Sequence, residues 1–215
     1  MKKIAVVYGG NSLEHDISIV TSLFVMEELK KHNIPFVPIY LSHDNVFYTG
    51  KALLNKDNYE DKTKFIKGTF VFKNGYYQFK HLCHYDDIEV AILCFHGFGT
   101  EDGTMKALFD FMHIPSTSSS VISSALIQDK YFSKIILKHL EIPVVDCFKL
   151  YKGKDTIIKE GFDFPLVIKP SHLGSSIGVK KVYNYDEYQK YLNIAFEYDE
   201  EVIVESSVEH LKELN

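Results

Sequence analysis

The chain has 215 residues, a formal net charge of −5, 46% hydrophobic and 25% charged residues. Those values describe one large or two modest globular domains and exclude a disordered chain. The acidic balance, with no basic block, argues against a nucleic-acid surface. No arginine occurs, so any anion must be met by lysine, backbone N–H or hydroxyl groups.

Ile4 to Val7 is a short continuous apolar run of the kind buried on both faces in a parallel sheet. It is too short for a signal sequence or a membrane span. The three cysteines, Cys83, Cys94 and Cys147, are odd in number and widely spaced. They make neither a disulfide framework nor a metal pattern, and they fit a reducing compartment. We therefore expect a soluble cytoplasmic protein.

After Ile4–Val7 comes Gly9-Gly10-Asn11-Ser12 and a helical stretch to about Lys31. Strand, glycine turn and helix open a doubly wound α/β fold, whose ligands sit beyond the carboxyl ends of the strands. Glu14 lies in that turn, either as an exposed acid on a structural turn or as a site residue. The spacing is not G-x-G-x-x-G, which disfavours a dinucleotide fold. Phe36 to Leu41 reads as the next strand. Phe47-Tyr48, Thr69–Phe72 and Tyr76–Phe79 read as short antiparallel strands around turns at Thr49-Gly50 and Lys73-Asn74-Gly75. Their aromatics suit a small core better than a stacking platform.

Val90 to Phe95 is another buried strand, ending on His96-Gly97-Phe98-Gly99-Thr100-Glu101-Asp102-Gly103 before a helix over Thr104–Met112. Glu101 and Asp102 suit helix capping. His96, at a strand end beside glycines, is either a ligand contact or a satisfied structural histidine. A boundary is expected near residues 120–130, giving domains 1–122 and 123–215. Phe148–Tyr151 reads as a strand and Asp155–Glu160 as a short helix. Then Pro165–Ile168 delivers Lys169 to a loop, Gly174-Ser175-Ser176-Ile177-Gly178, and a second β run over Val179–Tyr183. Such a loop offers glycine mobility with hydroxyl and N–H donors, and the lysine offers a point charge for phosphate. A hairpin with a flexible tip and a surface lysine is the plainer reading. Asp186–Tyr198 follows as an amphipathic helix with Tyr188, Tyr191, Leu192 and Ala195 on one face, and Val202–Val204 as a last strand.

Three separated segments agree on one family. Gly9–Glu14, His96–Gly103 through Ser124–Lys130, and Lys169-Pro170 through Gly174–Gly178 resemble, in order and spacing, the D-alanine–D-alanine ligases. These are ATP-grasp enzymes of peptidoglycan precursor synthesis in the bacterial cell wall. Leu211–Asn215 also looks like the subgroup that includes the vancomycin-resistance D-alanine–D-serine ligases. The resemblance implies a fold of an N-terminal pre-ATP-grasp domain followed by the α+β central half of an ATP-grasp. It implies that Glu14 holds the ammonium of the first D-alanine with His96 close by. By the same resemblance Lys130 and Lys169 reach the ATP phosphates, and Ser175 and Ser176 belong to the loop that covers them. Glu205 to Val208 resembles the hinge beside the adenine, and Glu213 the acid on the ribose hydroxyls. It also implies a D-alanyl phosphate intermediate and a homodimer paired through the first domain.

Departures are visible. The family usually has Met where Gln128 stands, a glycine near Ser118, and a lysine where Ser206 follows the hinge glutamate. The spacing from Glu205 to Glu213 is one residue longer than usual. The family's R-x-D stretch and its E-x-N-x-x-P-G run, which ligates two magnesium ions, do not occur in these 215 residues. The reading is therefore a ligase cut through its active site and inactive by itself, and the magnesium ligands are expected outside it. The alternative is a non-catalytic nucleotide-binding or dimerisation module derived from the same family.

Overall fold

A computed structural model describes residues 2–154, 156–209 and 211–212. Its contacts divide the chain into two units, Met1–Ala125 and Leu126–Asn215.

The first unit contains β1 (Lys3–Gly9), α1 (His15–Lys31), β2 (Phe36–Leu41), β3 (Phe47–Thr49), β4 (Ile66–Lys73), β5 (Tyr76–His81), β6 (His84–Leu93) and α2 (Thr104–Phe111). Strand β1 lies between β2 and β6, parallel to both. Its alternate side chains face opposite ways, as the pleat requires. Ala5 and Val7 enter one apolar cluster with Met105 and Phe109 of α2. Val6 and Tyr8 enter another with Ile19 and Met26 of α1. Helices thus cover the parallel strands on both sides, which is why Ile4 to Tyr8 of β1 form one continuous apolar run.

The expected doubly wound parallel sheet is only part of this unit. Parallel pairing is confined to β2–β1–β6 and a bridge from Ala91 to Ser116, and antiparallel strands close the sheet into a six-stranded barrel. Strand β6 also begins earlier than Val90. Its first half pairs antiparallel with β5, from His81 opposite His84 to Gln78 opposite Asp87, while its second half pairs with β1. The polar residues His84 to Asp87 hid that half. The turn expected at Thr49-Gly50 is not a hairpin either. β3 returns from β2 through Ser42–Val46, and the chain after Thr49 enters three short 3-10 turns before β4. Gly50 is needed there for its positive φ of 119°. The aromatics of this stretch do form core, with Tyr48, Phe65 and Tyr59 around Tyr8 and Tyr40.

Helix α3 (Val121–Gln128) contains the boundary. The second unit then carries α4 (Lys130–His139), β7 (Cys147–Tyr151), β8 (Leu166–Pro170), β9 (Lys180–Val182), α5 (Tyr185–Tyr198) and β10 (Glu201–Ser206). The sheet order is β7-β10-β8-β9, antiparallel throughout. Helix α5 starts at Asn184, whose side chain accepts the Glu187 N–H, while the Glu187 carboxylate accepts the Tyr183 N–H. Its buried face is Tyr188, Leu192, Ala195 and Phe196, with Tyr191 only partly covered. That face meets Phe148, Leu150, Leu166, Ile168, Val182, Val202 and Val204. The short helix expected at Asp155–Glu160 is absent over Thr156–Glu160; Asp155 lies outside the described residues. A β-branched run of Thr156, Ile157 and Ile158 so short cannot offset the cost of helix nucleation.

Candidate active site

In the first unit, the glycine turn after β1 is held from within. The Gly9 N–H donates to Ser18 Oγ at 2.9 Å and the Gly10 N–H to the Leu41 carbonyl at 2.7 Å. His15 is buried, with Nδ1 2.5 Å from the Gly10 carbonyl and Nε2 3.0 Å from the Tyr40 hydroxyl. Burial pulls its imidazole below the usual range. With the turn fixed, Ser12 joins two expected site residues. Its hydroxyl donates to the His96 carbonyl at 2.6 Å and accepts the Glu14 N–H at 3.0 Å.

The Glu14 carboxylate lies against Gly97. A Cβ on Gly97 would sit 2.9 Å from Glu14 Oε2 and 3.0 Å from Ser12 Oγ, and the glycine has a φ of +85°. Only glycine lets the two loops approach this closely. The His96 ring pairs through Nε2 with the Thr21 hydroxyl of α1 at 2.9 Å. Glu101 folds back to accept the Gly97 N–H at 2.8 Å, and Asp102 accepts the Gly99 and Thr104 N–H groups at 3.0 Å each. Both acids therefore serve the loop, and Glu14 and His96 remain the site candidates of this unit. Ser12 and Thr21 had no signal in the sequence beyond their place in or after the turn.

In the second unit, the sheet face away from α5 carries charged residues around the buried Ile203. Lys149, Lys169, Glu201 and Glu205 alternate with the inward Val, Ile and Leu residues and project to that side. Glu205 is buried, and two lysines bracket it: Lys134 Nζ lies 3.0 Å from Oε1 and Lys169 Nζ 2.6 Å from Oε2. Lys169 faces Ile203 in register, so its link to Glu205 is a diagonal cross-strand pair.

Lys130 and Lys134 are one turn apart on α4 and so share a face. Lys134 also donates to the Val145 carbonyl at 3.0 Å. Lys130 Nζ donates to the carbonyls of Pro170 (3.1 Å), Ser171 (3.3 Å) and Leu173. Burial pulls its ammonium below the usual lysine range. The two expected phosphate lysines are thus placed differently, Lys169 on a carboxylate and Lys130 on the stem of the loop.

That stem is tied at several points. The Lys130 N–H donates to the Ser171 carbonyl at 3.0 Å, and Gln128 Nε2 to the His172 carbonyl at 2.5 Å. Ser171 Oγ donates to Asp129 Oδ1 at 3.1 Å, while Asp129 also caps α4 through the Tyr131 and Phe132 N–H groups. Beyond the stem, Gly174, Ser175 and Ser176 are exposed. Ser175 and Ser176 have φ of 50° and 57°, a left-handed pair that non-glycine residues adopt at a cost of about 1–2 kcal/mol each. Val208 is half exposed beyond the end of β10. Glu213 lies outside the described residues.

Beside the stem, Lys149 is buried between carboxylates, 2.9 Å from Asp129 Oδ2 and 2.5 Å from Glu201 Oε2. The rings of Phe132 and Tyr131 lie 4.8 and 5.0 Å from its Nζ. Burial works against the Lys149 charge, but these two hydrogen bonds outweigh it and raise the ammonium above its usual range. Ligand atoms of Asp129, His172 and Glu201 come within 4.8 Å of one another, a spacing open to a metal ion. The Lys149 ammonium already pairs with both carboxylates, so we read the cluster as an ion-pair network and place no metal there. Lys134 and Lys149 were missed because their partners come from register, whereas Asp129 could have been found as an N-cap residue before a helical run.

A family model described as the N-terminus of D-ala D-ala ligase matches residues 3–119, and one described as the C-terminus matches residues 136–215. The chain belongs to the D-ala D-ala ligase family. It is 35% identical to a D-alanine–D-alanine ligase of Thermosipho africanus, with 100% of this chain aligned to 61% of that protein. It also resembles the VanG D-Ala:D-Ser ligase from Enterococcus faecalis, with a TM-score of 0.83 at 28% identity over 96% of this chain and 63% of that one. For the Bacillus anthracis D-alanine–D-alanine ligase complexed with ATP, the TM-score is 0.68 at 31% identity, covering 97% of this chain and 60% of that one. The chain thus spans about 60% of the length of these members of the family. No helix among the described residues is long and apolar enough to cross a membrane.

Proposed function

We propose that this chain is the N-terminal and central portion of an ATP-dependent ligase that joins D-alanine to D-alanine or a similar D-amino acid in cytoplasmic peptidoglycan precursor synthesis. The observation that carries the reading is the match of two successive family models, in order, to residues 3–119 and 136–215. In this reading the first unit is the pre-ATP-grasp domain and the second the central half of the ATP-grasp, with the border at 122/123. ATP phosphorylates the carboxylate of the first D-alanine, and the amine of the second displaces phosphate from the D-alanyl phosphate.

The residues take roles that their chemistry supports. Glu14, a carboxylate beside a glycine loop, holds the ammonium of the first D-alanine, with His96 next to that subsite. Lys169 meets an ATP phosphate by leaving or sharing the Glu205 carboxylate, which it now touches at 2.6 Å. Lys130 acts at the phosphates in part by fixing the stem of the Ser175–Ser176 loop that covers them. Glu205 to Val208 line the adenine, and Glu213 binds the ribose hydroxyls. Magnesium accompanies ATP on ligands other than the residues described here. Positioning and charge stabilisation supply most of the catalysis in such a site.

By itself the 215-residue chain binds nucleotide without turnover, since it offers no guanidinium for a substrate carboxylate. The test is ATP-dependent phosphate release with D-alanine, run on this chain and on a longer protein that includes the rest of the family's length. Release by the longer protein alone is expected. Release by neither, with D-alanine or D-serine, overturns the ligase reading in favour of a non-catalytic binding module.

The same reading includes a homodimer through the first unit. Support comes from α1, which buries Ile19 and Met26 together with His15, Ser18 and Ser22 yet also presents Ile17, Val20 and Phe24 outward, each about half or more exposed. Apolar residues outward as well as inward depart from the usual amphipathic order of a surface helix, which suits a covered helix. Light scattering should give a dimer that Phe24→Glu dissociates, and a wild-type monomer at micromolar concentration sinks the idea.

A further inference from the structure

We propose that His172 is a positioning residue that clamps the root of the Gly174–Gly178 loop as a cation, so that raising the pH loosens the loop. The role rests on the nucleotide reading above. It deepens that reading by naming what holds the phosphate cover in place.

The argument begins with the position of His172 in the chain. It follows Ser171, which is fully buried, and precedes the exposed Gly174–Ser176 segment by one residue. Its backbone is tied on both sides, the N–H to Asp199 Oδ2 at 2.8 Å and the carbonyl to Gln128 Nε2 at 2.5 Å. Its ring is tied as well. Nδ1 lies 3.1 and 3.0 Å from the two Asp199 oxygens, and Nε2 lies 3.3 Å from Asp129 Oδ2 and 4.0 Å from Glu201 Oε2. A carboxylate accepts and cannot donate, so Nδ1–H donates to Asp199, and a neutral ring would then turn its Nε2 lone pair toward Asp129 Oδ2 at 3.3 Å. The imidazolium replaces that repulsion with an attraction.

The surrounding charges agree. Asp129 comes from the start of α4, Asp199 from the end of α5 and Glu201 from β10, and Lys149 of β7 pairs with Asp129 and Glu201. Lys130 of α4 sits on the carbonyls that flank His172 and adds no partner to the ring. Three carboxylates against one buried ammonium leave room for a second positive charge, and His172 supplies it. The Asp199 hydrogen bond raises its pKa from the usual value, against an opposing effect of burial. Loss of the proton turns a charge-assisted anchor into a weaker one on the Asp129 side, where a lone pair then faces a carboxylate.

The test uses the whole 215-residue chain. Proton NMR of the His172 Cε1–H gives its titration midpoint, and the amide resonances of Gly174 and Gly178 report the loop. In the wild type both amides should shift with the His172 midpoint, above pH 6.5. In His172→Arg, which keeps the cation, they should not titrate over pH 6–9. In Asp199→Asn the midpoint of His172 and both amides should fall together. Magnesium–ATP binding, measured by calorimetry relative to His172→Arg at each pH, should weaken by roughly threefold to tenfold as His172 deprotonates. Loop amides that ignore the His172 titration overturn the clamp, and so does a wild-type pH profile of affinity that His172→Arg reproduces. Loop amides that follow His172 in a chain that binds no ATP at any pH sustain the clamp and overturn the nucleotide reading instead.

Discussion

The two units handle the second face of a sheet in opposite ways. In the first, successive residues of β1 alternate between two apolar clusters, with α2 on one side and α1 on the other. In the second, α5 covers one face with Tyr188, Leu192, Ala195 and Phe196, and the opposite face carries Lys149, Lys169, Glu201 and Glu205. That face buries Ile203 as well, and a sheet that needed only stability could carry more apolar residues in place of these four, because replacing ion pairs by packed hydrophobes is often neutral or stabilising. In the function proposed above, the lysines and acids mark the nucleotide face. In the first unit the candidates Glu14 and His96 lie at the strand ends instead, where Ser12 bonds both the His96 carbonyl and the Glu14 N–H.

The largest effect should come from the apolar side of this comparison. Phe109 is fully buried between the barrel strands and α2, touching Phe70 at a centroid distance of 5.5 Å. Phe109→Ala should cost about 3–5 kcal/mol of unfolding free energy, and Leu192→Ala in the second unit about 2–5 kcal/mol. Denaturant unfolding followed by tyrosine fluorescence measures both. A loss under 1 kcal/mol at either position would mean that the cluster concerned is not a packed core.

The polar face should respond less in stability and more in binding. Glu205→Gln removes the shared anion between Lys134 and Lys169, whose side chains retain 19% and 29% of their exposure. Partial hydration limits the destabilisation to about 1–3 kcal/mol. If Glu205 also positions Lys169 for the nucleotide, ATP affinity should fall with it. Equal affinity in Glu205→Gln and wild type would remove Glu205 from the nucleotide site while leaving its structural role.

How much of this was readable in the sequence follows the same division. Strand β1, helix α5 and the β8–loop–β9 hairpin were legible because their apolar runs and periods are local. The first half of β6 was not, since His84 to Asp87 become strand only by pairing with β5. The run at Thr156–Glu160 misled because short β-branched segments carry no decisive period. In the candidate site, the residues of the glycine motifs could be named in advance, whereas Lys134, Lys149, His172 and Asp199 could not. Their roles arise from register and from the meeting of α4, β8 and β10, and no spacing along the chain announces that.

The smallest predicted effect tests whether the ion network beside the loop is held by its charges. The His172 pKa is raised, so its contribution to stability is complete below about pH 6.5, the unfolded value, and is lost as pH rises through the higher folded value. Asp199 and Asp129 are lowered, because hydrogen bonds from His172 and from Lys149 outweigh the burial that would raise them. Their contribution is complete above about pH 4 and is lost as pH falls through the lower folded values. The second unit should therefore be most stable between about pH 4 and 6.5, with a shallow decline on the alkaline side. Urea midpoints measured from pH 4 to 9 should show that decline in the wild type and lose it in His172→Arg, which keeps its charge throughout. A decline that survives the substitution would assign the pH dependence to other groups, and the polar face would then owe its geometry to hydrogen bonds more than to charge.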